Sequence, residues 1–214
     1  MGKQVDSNHY YIGDYDTKER FISYWHQINE IIKLKPINVL EVGIGNKFVS
    51  NYLTNIGINV TSFDFDKQLS PDIVGNINDL PFYDDSFDVI ACYEVLEHID
   101  FSHFENSLKE MYRVSKSYVI ISLPDVSLVY RLYLPVVKLN KFEIMNIRLV
   151  KKLISIPRLI KPLHQFDGEH FWEIGKKNYS LNDIEAKIKS VGFEIIYTYQ
   201  VFENPYHRFF VLKK

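Results

Sequence analysis

The chain has 214 residues, 46% of them apolar, with 25 Lys and Arg against 27 Asp and Glu for a formal net charge of −2. This suits one globular domain with a sizeable core and gives no global reason to expect a nucleic acid as partner. The single Cys92 excludes an internal disulfide framework and a cysteine zinc site, and it suits a reducing compartment. With no apolar leader in the first residues and no run of the roughly 18 apolar residues that span a bilayer, the expectation is a soluble, cytoplasmic protein without a membrane span.

Residues 1–15 are polar and tyrosine-rich, with Tyr10, Tyr11 and Tyr15. A helix is expected from Asp16, where Glu19 stands in capping-box register, with Phe21, Trp25, Ile28 and Ile32 on one face and Pro36 as its end. Ile37–Val42 is a short apolar run closed by glycine, which predicts a buried strand. A helix over 46–56 follows, then a strand over Ile58–Asp64, a brief one over Asp72–Val74, and one over Phe87–Cys92. Ser102 with Glu105 predicts the capped start of a helix through Phe104, Leu108, Met111 and Val114, and Tyr118–Leu123 is a fifth strand.

After Pro124 the alternation stops. Residues 125–178 show no clear strand, and 126–165 hold eight basic residues (Arg131, Lys138, Lys141, Arg148, Lys151, Lys152, Arg158 and Lys161) against the single acid Glu143. This insertion is expected to be helical and broken by Pro135, Pro157 and Pro162. It reads either as a substrate lid, with weaker grounds for contact with a membrane surface or a lipid-linked substrate, or as helices with a solvated basic face. Ser180 then caps a helix bearing Ile184, Ile188 and Val191 up to Gly192, and Phe193–Tyr199 and Phe209–Leu212 close the chain as antiparallel strands. The expected fold is α/β, a doubly wound, seven-stranded, mostly parallel sheet with a helical lid insertion after the fifth strand. It forms a single domain: an N-terminal helical segment (1–36), a binding core (37–123), the insertion (125–178) and a C-terminal unit (179–214).

Ligands of such sheets sit at the carboxyl ends of the strands. The first strand ends in Glu41-Val42-Gly43-Ile44-Gly45, whose glycines let the backbone turn and approach a ligand, and the second ends at Asp64, a carboxylate suited to the hydroxyls of a ribose. A dinucleotide fingerprint requires a third glycine where Phe48 stands. An NAD(P)-dependent oxidoreductase is therefore the disfavoured alternative; a cofactor-binding scaffold without catalysis is another.

In order and spacing, Val39–Gly45, Asp64, Asp79-Leu80-Pro81-Phe82, Asp85–Val89 and Val95-Leu96-Glu97-His98 resemble the class I, Rossmann-like methyltransferases of the small-molecule type, over about residues 37–123. The resemblance implies S-adenosylmethionine as cofactor and a small-molecule methyl acceptor. Methylation at oxygen is expected, and the basic insertion, read as a lid, suits a sugar or other anionic metabolite. The resemblance places Glu41, Gly43, Ile44 and Gly45 along the methionine side, Asp64 at the ribose, and Phe65, Asn76 and Ile77 at the adenine. Cys92 and Tyr93 would face the methionine moiety. Lys47 stands where relatives often carry a further glycine, and its ammonium is expected to turn outward.

Oxygen acceptors require a base. His98, just past the fourth strand, fits that role, or else packs at the next helix. His170 is a second candidate base, in the cluster His164–Glu173, which reads as acceptor pocket or as a docking turn. Phe171 and Trp172 there, and Tyr24 and Trp25 on the N-terminal helix, are candidate substrate-binding residues. No tight metal-ligand spacing is present, so no metal is expected. The acceptor's identity and the oligomeric state are open.

Overall fold

The computed structural model describes residues 15–139, 145–158 and 160–214; the N-terminal tyrosines Tyr10 and Tyr11, and Lys141 of the insertion, lie outside them. A seven-stranded sheet runs in the order β3 (Ile73–Val74), β2 (Asn59–Asp64), β1 (Asn38–Val42), β4 (Phe87–Tyr93), β5 (Ser115–Pro124), β9 (His207–Lys213), β8 (Glu194–Gln200). The first five strands are parallel, while β9 is antiparallel to both β5 and β8. The order reverses between β1 and β4, the switch point where the two carboxyl ends part to leave a crevice.

Strand periodicity sorts the core into two layers. Val39, Val89, Ala91, Tyr93, Phe209 and Val211 point to one face, against α1 (Lys18–Leu34) and α2 (Phe48–Asn55). Leu40, Val42, Ile90, Cys92, Ile121 and Phe210 point to the other, against α3 (Phe104–Val114) and α4 (Leu181–Val191).

The helix starts follow local chemistry. Thr17, one residue beyond the expected Asp16, caps α1 by accepting from the Arg20 amide at 3.2 Å. The buried stripe is also rotated by one position from the expected one: Tyr24, Ile28 and Ile31 are buried, while Phe21, Trp25 and Ile32 are exposed. Two stripes sharing Ile28 compete in this helix, and the buried one also brings Glu30 to the hydroxyls of Tyr197 and Tyr199. Asp100, not Ser102, caps the short turn Phe101–His103 that leads into α3, accepting from the Ser102 amide at 2.8 Å, and α3 itself has no side-chain cap. Ser180 and Asp183 form the capping box of α4, which ends at Gly192 in the left-handed region.

Among its described residues the insertion is not helical. Two antiparallel strands, β6 (Val129–Leu139) and β7 (Met145–Ser155), pair from Val129 with Ser155 to Leu139 with Met145 as a separate two-stranded sheet. The physical reason lies in its residue types. Tyr130, Leu132 and Leu134 alternate with Arg131 and Tyr133, a period of two rich in β-formers. Pro135 is tolerated because each strand of a two-stranded ribbon has an outer edge. Tyr133 meets Phe202 edge-on and Lys151 pairs with Glu203, so that face touches the domain while staying largely exposed, and Tyr130, Leu134, Val150 and Ile154 of the other face are exposed as well. No helix among the described residues is long and apolar enough to cross a membrane.

Candidate functional site

A cavity of about 300 Å³ opens at the carboxyl ends of β1, β2 and β4, with α1 along one side. Its first half is made by strand tips. Glu41, Gly43, Ile44, Gly45, Asp64, Phe65, Ile77, Tyr93 and Tyr24 are on its wall. Gly43 has φ +80°, and a Cβ there would stand 2.1 Å from Val95 Cγ2, so only glycine permits this approach of β1 to the segment after β4. Asp64 accepts from the Ile44 amide at 3.0 Å and the Asp66 amide at 2.8 Å, which locks the turn around it. Burial raises its pKa, and these amide bonds act in the opposite direction. Two carboxylate oxygens offer about four acceptor positions, so Asp64 retains capacity for a ligand's hydroxyls.

Glu41 is buried with its Oε2 unpartnered, and burial pushes its pKa up to about 8, offset in part by Ser50. An orphaned acid beside a glycine cradle fits a cationic methionine moiety, and Asp64 fits a ribose, so the residues present suit S-adenosylmethionine. Lys47 adopts φ +63°, the backbone of the glycine it replaces, and its ammonium donates to the Ser70 carbonyl at 2.7 Å away from the cavity wall. Phe48 stacks on Tyr24, with ring centroids 4.7 Å apart, at the position where a dinucleotide fingerprint has the glycine that lets helix and strand pack closely.

Several expected residues are placed elsewhere. Cys92 alternates with Tyr93 and so points into the α3 layer; burial raises its thiol pKa. Asn76 is off the wall, its Oδ1 accepting from the Asn78 amide at 3.0 Å within its own turn. Trp25 is exposed on the outer side of α1. Trp172 is fully buried against Phe101 and Phe104, with Nε1 donating to the Ile99 carbonyl at 3.1 Å, so it anchors the segment from within the core. Phe171 packs on Phe166 outside the cavity, and its amide donates to the Glu97 carbonyl at 2.8 Å.

The second half of the cavity gathers three segments distant in sequence: Glu94–Ile99, Glu169-His170 and Tyr206-His207. His98 donates from Nδ1 to the Glu169 carbonyl at 3.0 Å, and burial lowers its pKa, with His170 adding to the effect. His170 Nδ1 lies 3.2 Å from Glu173 Oε1; burial lowers its pKa, but Glu173, with Asp167 and Glu94, raises it on balance. Tyr206 donates to the same Glu173 oxygen. Glu97 is fully buried with both oxygens unpartnered, and burial, reinforced by Glu94, holds its pKa well above the carboxylate range. Ligand atoms of Glu97, His98 and His170 all lie within 4.8 Å of one another, the one such group of three among the described residues. Glu97 stands in the same motif as His98, with Glu94 directly before it, whereas Tyr206 and His207 were not singled out from sequence and no local signal marks them.

Residues 40–122 match the model of the methyltransferase domain family. The chain is similar to the 1,6-didemethyltoxoflavin-N1-methyltransferase of Burkholderia thailandensis, solved with its acceptor and S-adenosylhomocysteine. The TM-score is 0.63 at 12% identity, over 97% of this chain and 84% of that one. It is also similar to the magnesium protoporphyrin IX methyltransferase of Synechocystis, solved with S-adenosylmethionine bound, with a TM-score of 0.60 at 12% identity over 97% and 88% of the two chains. An uncharacterized protein of Methanocaldococcus jannaschii is 24% identical over 80% of this chain and 68% of its own length.

Proposed function

Because this chain belongs to the class I S-adenosylmethionine-dependent methyltransferases, we propose that it methylates a small molecule at oxygen, and that the acceptor is activated where Glu97, His98 and His170 meet. The observation that carries this reading is the continuity of one cavity from Glu41 and Asp64 to His98 and His170. When bound, S-adenosylmethionine supplies an electrophilic methyl carbon on a sulfonium. Glu41, the Gly43–Gly45 turn and Asp64 hold it, and Tyr24 and Phe48 close the cavity along α1. His98 is the base. Its Nδ1 hydrogen is committed to the Glu169 carbonyl, so the neutral ring carries its lone pair on Nε2. Its depressed pKa keeps it neutral at pH 7, as proton acceptance requires. Of the two acceptor classes expected, the acids Glu94 and Glu169 on the wall favour an uncharged, sugar-like hydroxyl over an anionic metabolite.

The test is transfer of labelled methyl to a panel of sugars, nucleotide sugars and carboxylate-bearing metabolites, with the methylated atom located by NMR. A methyl ether is expected. His98→Ala is expected to lower kcat by about 10²–10⁴-fold with S-adenosylhomocysteine affinity unchanged. Methylation solely at nitrogen or carbon, or full activity in His98→Ala, overturns the proposal.

A further inference from the structure

The acceptor end of the cavity holds more buried carboxyl groups than a methyl donor explains. Glu97 is fully enclosed with neither oxygen hydrogen-bonded, and its neighbour Glu94 has a buried oxygen, Oε1, in the same condition. Burying one unpaired carboxylate is costly, and two side by side more so, unless a cation or a proton resolves them. The two imidazoles beside them are oriented in a specific way. His98 directs its Nδ1 hydrogen to the Glu169 carbonyl, and His170 has its Nδ1 against the Glu173 carboxylate. Each contact assigns the proton to Nδ1 and the lone pair to Nε2. Metal-ligating histidines have this second contact to a carbonyl or carboxylate, which fixes the ring and raises the basicity of the coordinating nitrogen.

We propose that Glu97, His98 and His170 bind a divalent first-row transition ion such as Zn²⁺, with its open coordination position facing the cavity. Two imidazoles and one carboxylate are a donor set that suits such ions, and three protein ligands leave a position for an oxygen of water or acceptor. Donors around Zn²⁺ at about 2.0–2.1 Å from the metal stand roughly 3–4 Å apart. The three ligand atoms here lie within 4.8 Å, so side-chain rotation of about an ångström closes the site. The segment from Glu169 to Trp172 is tied to residues 97–99 by three hydrogen bonds, so the backbone already presents both halves of the ligand set. Metal binding stands apart from the methyl-transfer reading. Its use rests on that reading: the ion would coordinate the acceptor's hydroxyl and lower its pKa so that the proton leaves to solvent, and His98, as a ligand, would then hold the ion in place of acting as the base.

The test is titration of the chelator-treated full chain with Co²⁺, followed by visible absorption, in wild type, Glu97→Gln and His170→Asn. S-adenosylhomocysteine affinity is measured on each by calorimetry. The expected result is one saturable Co²⁺ per chain with ligand-field bands of low coordination number, displaced by Zn²⁺. Each variant should bind Co²⁺ at least about tenfold more weakly, with S-adenosylhomocysteine affinity retained. No saturable uptake by wild type, or equal uptake by wild type and both variants, overturns the site. Wild type that takes up Co²⁺ without binding S-adenosylhomocysteine sinks the donor reading and leaves the metal site standing.

Discussion

The two halves of the cavity are built by different means. At the donor half, consecutive residues at the tips of β1 and β2 supply most of the wall, and the chemistry is largely that of the backbone: two positive-φ glycines and the amides of Ile44 and Asp66 bonded to Asp64. At the acceptor half, side chains from three distant segments converge, and several buried polar atoms there, in Glu94 and Glu97, lack partners. A site made from strand tips inherits the rigidity of the sheet. A site made from converging side chains depends on whatever holds those segments together, and leaves polar groups waiting for a ligand.

The sharpest way to break this contrast is Trp172→Ala. Removing the fully buried indole that pins the acceptor segment to α3 is expected to cost about 3–5 kcal/mol by urea denaturation. Affinity for S-adenosylhomocysteine in the molecules that remain folded should be near wild type, and a parallel loss of that affinity would show that the halves are one unit. Next in size, Asp64→Ala removes both a ribose acceptor and the tie across the turn. Charge-assisted hydrogen bonds worth about 1.5–3 kcal/mol translate to roughly 10–100-fold weaker S-adenosylhomocysteine binding by calorimetry. An affinity within about threefold of wild type would show that the ribose lies elsewhere.

The third test is a pH slope. Glu41 has its pKa raised from 4.5 to about 8 by burial. A raised folded-state pKa means that the proton stabilises the fold, so its contribution is present below pH 4.5 and is lost as pH rises through about 8. Glu41→Gln should flatten this decline in the ligand-free chain, measured as Tm across that interval. Parallel curves for wild type and variant would contradict the buried, unpaired state of Glu41.

Sequence made the donor half readable because its determinants are local. The glycines, Asp64 and the motif ending at His98 each lie at a strand end that hydrophobic runs announce. Cys92 and Tyr93 show the limit of such reading: adjacency suggested a shared role, whereas strand alternation turns them to opposite faces. Trp172 shows another limit. An aromatic in a polar cluster looks like a pocket wall until the packing of Phe101 and Phe104 around it is known. In the insertion, the basic residues and three prolines concealed an alternation that Tyr130, Leu132 and Leu134 carry, so strands were read as helices. His170 and Tyr206 meet directly and share Glu173, contacts across distant segments that no local pattern encodes.

The three hydrogen bonds that join Glu169, Phe171 and Trp172 to residues 97–99 have a dynamic consequence. They run along one stretch of chain, so they break together more readily than singly. The His170 segment should detach from His98 as a cooperative unit with its own opening free energy, below that of the whole domain. The Phe171 amide, whose hydrogen is held by the Glu97 carbonyl, exchanges with solvent only when that unit opens. Its exchange rate thus counts how often the acceptor end of the cavity comes apart and re-forms.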